Sequence, residues 1–110
     1  MPVFLKTDQD FAAFRLSRSY QTRLLKIRVH ISLNQNSPRF GFIISKKTLP
    51  KAVDRNLLKR RIKAVLQKIY KQVKPADILF FPQRDLLKQK FAKVGQEVET
   101  LFTQARIWKQ

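Results

Sequence analysis

Residues 39–63 read RFGFIISKKTLPKAVDRNLLKRRIK. The apolar run from Phe40 to Ile44 predicts a strand over residues 39–46. Ser45-Lys46-Lys47 and a short loop holding Pro50 follow it. The period then changes. Wound at about 100° per residue, Leu58, Ile62, Val65, Leu66, Ile69 and Val73 fall in one arc of about 100°. Arg55, Asn56, Lys59, Arg60 and Lys63 fall in the adjoining arc. A single helix, residues 52–73, therefore carries a core-facing stripe and a cationic stripe side by side.

Nine of the 25 residues are Lys or Arg, and the one acid is Asp54. The whole chain has 24 basic and 7 acidic residues, a net charge of +17. Like charges on one helix flank repel unless an anion sits between them. Runs of like charge often stay merely solvated. Here the acids that would balance such a face are missing. Nucleic acid is the partner such a charge fits. An anionic membrane surface fits less well, because the cations are spread over a folding core and not gathered in a flexible tail.

The remaining chain reads as one domain, residues 1–110. Apolar residues make up 44% and include nine Phe, enough to build a core and to exclude disorder. No apolar run reaches the roughly 18 residues that a membrane span requires. The first ten residues, MPVFLKTDQD, lack the basic and apolar regions of a secretory signal. The chain has no Cys, which excludes disulfides and thiolate metal sites and is compatible with a reducing cytoplasm.

Residues 1–5 form an apolar lead-in. Thr7 to Asp10 reads as a capping box opening a helix that runs to about Ser17. Phe11 and Phe14 share a face of it; core packing suits Phe14, and Phe11 suits either the core or a base-stacking surface. Residues 17–22 are polar and read as a loop. Leu25, Ile27, Val29, Ile31 and Leu33 alternate with Lys26, Arg28, His30 and Ser32, a strand with one buried face. His30 lies on its polar face. Residues 34–38 form a hairpin-type loop. The strand over residues 39–46 is apolar on both faces and is expected to lie centrally in the sheet. Ile78 to Phe81 is a short strand ended by Pro82. Leu87, Phe91, Val94, Val98, Leu101 and Ala105 mark a last helix within residues 86–106, which Gly95 would weaken by about 1 kcal/mol. The expected fold is α+β, an α/β sandwich: helix, strand, strand, helix, strand, helix around one sheet, with the strands flanking the long helix as parallel neighbours.

Catalytic constellations are missing. There is one His, and the acids Asp77, Asp85, Glu97 and Glu99 are dispersed. With two Gly there is no phosphate loop, and no metal-ligand spacing is visible. Ser45 beside two lysines suits phosphate binding better than nucleophilic attack. The protein is expected to bind no cofactor, metal or small-molecule substrate of its own.

The pairing of FGFIISKK with AVDRNLLKRRIK resembles the protein subunit of bacterial ribonuclease P. That family's signature is a strand ending in Ser/Ala-Lys-Lys, a few residues, then A-V-x-R-N-x-x-K-R-x-x-R. Asp10-Phe11, Asp77 to Phe81 and the final helix also fit the family. The resemblance implies a ribosomal-protein-like fold with a left-handed crossover at the basic helix, against the usual rule. It implies a partner, ribonuclease P RNA, and a substrate, precursor tRNA, whose 5′ leader is removed by Mg²⁺ ions that the RNA holds. Arg55, Asn56, Lys59, Arg60 and Lys63, with Lys46 and Lys47, would lie against the catalytic RNA. Phe11, Phe14, Ile27, Val29, Ile43 and Ser45 would line a cleft for the leader. The sequence departs from the signature at Leu57, which replaces an Arg, and at Lys63, which keeps the charge without the bidentate fork. Arg15 stands where a second cleft aromatic is often found, or Phe14 supplies it. A ribosomal or general RNA-binding scaffold and a DNA-binding regulator are the competing readings.

Overall fold

The computed structural model describes residues 2–5, 17–31 and 35–109. The helix expected over residues 7–17, with Phe11, Phe14 and Arg15, lies outside the described residues up to Ser17.

Five strands form one sheet in the order β1-β4-β5-β3-β2. They are β1 (Val3–Phe4), β2 (Arg18–Gln21), β3 (Leu25–Ile31), β4 (Arg39–Phe42) and β5 (Ala76–Pro82). Two helices, α1 (Ala52–Ile69) and α2 (Phe91–Ala105), pack on it. β4 and β5 flank α1 in sequence and pair in parallel, as expected. The centre of the sheet is β5, not β4: it pairs with β3 on one side and β4 on the other. Its continuous apolar run follows from that position, since six of its seven residues are buried.

β1 and β2 form where only an apolar lead-in and a loop were expected. Both are edge strands that exist by pairing, β1 parallel to β4 and β2 antiparallel to β3. β4 ends at Phe42, short of residue 46. The Ile43 amide still donates to the Phe80 carbonyl, and then a turn takes the chain away.

In-register partners show which face is which. Ile27 opposes Phe80, Val29 opposes Ile78, and Phe40 also opposes Ile78. All of these lie in one buried cluster with Leu58, Ile62 and Leu66 of α1 and Val98, Leu101 and Phe102 of α2. Phe40, Phe80 and Phe102 form its aromatic centre, with ring centroids 6.0–6.5 Å apart. Each contributes about 2–3 kcal/mol by leaving water.

α1 has no side-chain cap at Lys51, but Asp54 stands in its first turn and favours the positive helix end. It passes at Tyr70 into a 3-10 turn, Tyr70–Gln72, so the helix expected to residue 73 is split. The last helix is also split. A 3-10 turn, Arg84–Lys88, precedes α2. Gly95 neither bends nor breaks α2; a Cβ there would meet Val65 Cγ2 at 3.6 Å, an ordinary contact with α1. The chain end is tied back by Lys74 N to Ile107 O and Lys109 N to Gln72 O, each 2.7 Å.

Candidate nucleic-acid interface

α1 lays its apolar stripe on the sheet and turns its cations outward. Leu58, Ile62, Val65 and Leu66 are buried. Asn56, Arg60 and Lys63 are exposed and Lys59 is half-buried. The expected grouping of these residues on one flank holds. Among the described residues no carboxylate comes within ion-pair distance of Lys46, Lys47, Lys59, Arg60 or Lys63. Ion pairs are found elsewhere, as at Arg39–Asp77 (2.7 Å) and Arg23–Asp85 (3.7 Å).

Lys63 leans toward the sheet. Its Nζ lies 4.7 Å from the Phe4 ring centroid and 5.9 Å from that of Phe42. The two rings stack at 6.0 Å. A cation over an aromatic face at such a site is worth about 0.5–1 kcal/mol and limits where the charge can swing. β1, unforeseen in the sequence, supplies one of these rings.

Arg55 behaves differently from its neighbours. Its Nη1 donates to the Leu49 carbonyl at 2.7 Å and to the Pro50 carbonyl at 2.9 Å. It anchors the loop that starts α1. Below that loop, Ser45 Oγ lies 2.9 Å from Thr48 Oγ1 and accepts from the Thr48 amide at 3.1 Å. The Ser45 hydroxyl thus shapes the turn that holds Lys46 and Lys47 exposed beside the start of the helix.

The expected leader cleft needs correcting at two positions. Ile27 is fully buried and Val29 is 6% exposed, both in the core under the helices. The alternation of β3 makes this necessary: its apolar set faces α1 and α2, so its polar set faces away. That other face brings together Lys26, Arg28 and His30, opposite Phe81, Leu79 and Asp77. Lys26 Nζ stands 5.4 Å from the Phe81 ring centroid. Arg28 Nε donates to Ser17 Oγ at 2.9 Å. Ile43 is 40% exposed just beyond β4. On that face β3 and β5 present Lys26, Arg28 and Phe81, none of them among the expected cleft residues, because a strand whose apolar side is core can offer a ligand only its polar side. Phe11 and Phe14 lie outside the described residues.

The two buried acids are structural. Asp77 accepts both bonds of the Arg39 fork at 2.7 Å each. Glu97 accepts from Thr22 Oγ1 at 3.0 Å, with Lys93 Nζ 4.0 Å away. Among the described residues no three His, Cys, Asp or Glu side chains gather as a metal site would require. No helix among them is long and apolar enough to cross a membrane.

Known proteins agree with this geometry. The sequence matches the Ribonuclease P family over residues 2–106. It is 32% identical over 105 residues to a ribonuclease P protein component of Synechocystis sp., covering 94% of this chain and 85% of that one. A ribonuclease P protein component of Nitrosomonas eutropha is also 32% identical, over 103 residues, covering 91% and 84%. The fold superimposes on the RNase P protein of Staphylococcus aureus with a TM-score of 0.87 at 19% identity, covering 99% of this chain and 100% of that one. On the RNase P protein of Thermotoga maritima it does so with a TM-score of 0.77 at 20% identity, covering 88% and 91%. The chain therefore belongs to the ribonuclease P family as its protein component, the accessory RNA-binding subunit of an RNA-based endoribonuclease that processes the 5′ end of tRNA.

Proposed function

We propose that Asn56, Lys59, Arg60 and Lys63 of α1, with Arg55 and the Lys46–Lys47 turn, form the surface that seats ribonuclease P RNA. The observation that carries this reading is the row of cations on a rigid helix with no carboxylate partner among the described residues. Phosphates are the groups that complete such a row, and their neutralisation releases counterions. Arg55 contributes through the loop it anchors as much as through its charge.

Precursor tRNA is the proposed substrate. Its single-stranded 5′ leader would run over the sheet face turned away from α1 and α2, where Lys26, Phe81, Arg28 and Ile43 offer cations and an aromatic ring to a splayed-out strand. Ser45 acts there only by shaping its turn. The Mg²⁺ ions of the reaction are assigned to the RNA, as the resemblance to the ribonuclease P protein subunit implies. The protein's work is positioning and charge neutralisation, in the cytoplasm where precursor tRNA is made.

Reconstitution with a bacterial ribonuclease P RNA at low Mg²⁺ tests this. Addition of the protein is expected to restore precursor cleavage, and the protein alone is expected to cut nothing. Cleavage by the protein without RNA, or no rescue at any salt concentration, would sink the assignment of roles.

A further inference from the structure

α1 has a second flank, facing α2, apart from the Lys59–Lys63 row. Lys68 lies about 14 Å further along the axis than Lys59 and on the opposite side of the helix. Its Nζ sits 5.7 Å from the ring centroid of Phe91, the first residue of α2. Phe91 is 42% exposed, although the other large apolar residues of α2 (Val94, Val98, Leu101, Phe102) are fully buried. Lys88 and Lys90 are exposed on the turn that delivers Phe91. That turn is firmly held. Arg61 Nη1 donates to the carbonyls of Leu87 at 3.1 Å and Gln89 at 3.4 Å, and the Gln89 amide donates to Leu86 O at 3.1 Å. Lys88 and Lys90 also stand at one end of an open groove of about 730 Å³ along α2, with Glu99 in its wall as the one exposed acid.

We propose that this flank is a second RNA-contacting surface, which takes a single-stranded segment with its phosphates on Lys88 and Lys90 and a base against Phe91. The proposal rests on the reading that α1 sits on RNA, and extends it to a second, separate segment. The pairing of cations on a held turn with an exposed ring is what single-stranded nucleic acid requires: the backbone follows the charges and an unstacked base covers the ring. A duplex keeps its base faces stacked and would leave Phe91 in water. A membrane would need a broad apolar face, and the exposed residues of α2 beyond Phe91 and Ala92 are polar.

The chain has no Cys, so single cysteines can carry an iron-EDTA reagent without background labelling. Lys90→Cys, Lys59→Cys and, as a control on exposed Gln104, Gln104→Cys would each be labelled and assembled with a bacterial ribonuclease P RNA. Position 90 is expected to cut a single-stranded stretch distinct from the nucleotides cut from position 59. Cuts from position 90 no stronger than from position 104, or identical to those from position 59, overturn the proposal. Cuts from position 90 without cuts from position 59 would support the second surface and refute the Lys59–Lys63 assignment. A decauridylate provides an independent measure. The Lys88→Ala/Lys90→Ala pair should lower the slope of its affinity against salt by about 1.4, at about 0.7 per phosphate. Phe91→Leu should weaken it about tenfold. An unchanged slope, or a decaglutamate peptide competing as well as the oligonucleotide, overturns the proposal.

Discussion

On the sheet side of α1, Lys63 rests over Phe4 and Phe42 while Lys59 and Arg60 stand beside it with no acid partner among the described residues. On the α2 side, Arg61 is turned inward to the carbonyls of Leu87 and Gln89, and Val65 meets α2 at Gly95. The two flanks share one helix and similar residue types. Their difference lies in what the cations touch. A guanidinium bonded to main-chain carbonyls holds two elements together; an ammonium with water on most sides is ready for a phosphate. Charge read from a helix wheel does not separate these two uses.

The sharpest test is the triple variant Lys59→Ala/Arg60→Ala/Lys63→Ala. Its affinity for ribonuclease P RNA should fall on the order of a hundredfold at moderate salt, with the salt slope lower by about 2–3. Stability should fall by no more than about 1 kcal/mol, the worth of the Lys63 cation–π contact, since Arg60 and Lys63 are exposed and Lys59 is only half-buried. A control triple at exposed Lys71, Arg106 and Lys109 removes the same charge. If the control loses as much affinity, binding follows net charge and the flank has no special role.

Arg61→Ala should behave in the opposite way. Loss of its bonds to Leu87 and Gln89 should lower unfolding free energy by about 1.5 kcal/mol in denaturant titration. RNA affinity at a temperature where the variant is folded should change by less than about twofold. A large affinity loss with unchanged stability would move Arg61 to the binding row.

The smallest effect is expected at Gly95→Ala. The new methyl would sit at ordinary contact distance from Val65 Cγ2. Helix propensity then favours Ala, and stability should rise by about 0.5–1 kcal/mol. Destabilisation would mean that the two helices approach more closely than this contact implies.

The residues that fit these measurements were unevenly readable beforehand. The buried stripe of α1 and its cationic neighbour follow from spacing alone, because a helix long enough to hold several turns repeats its pattern. The alternation of β3 was equally clear, yet Ile27 and Val29 were placed in a ligand cleft when the same alternation sends them to the core. The error was one of face and not of element. Val3–Phe4 and Arg18–Gln21 carried no local strand signal, since edge strands this short are made by the neighbours they pair with. The end of β4 at Phe42 was also hidden, because Ser45 and Thr48 close a turn whose hydrogen bonds compete with the ladder.

Composition and periodicity by themselves determined the excess of positive charge, the α+β class and the core-facing stripes, because each depends on residue type and local repeat. Tertiary structure alone decided which cations are free and which are tied. It placed Phe4 under Lys63, Arg61 on the carbonyls before α2, and Asp77 in the fork of Arg39. Such partners are brought together by packing across the sheet and between helices, and no local pattern encodes a contact whose two halves are distant in the chain.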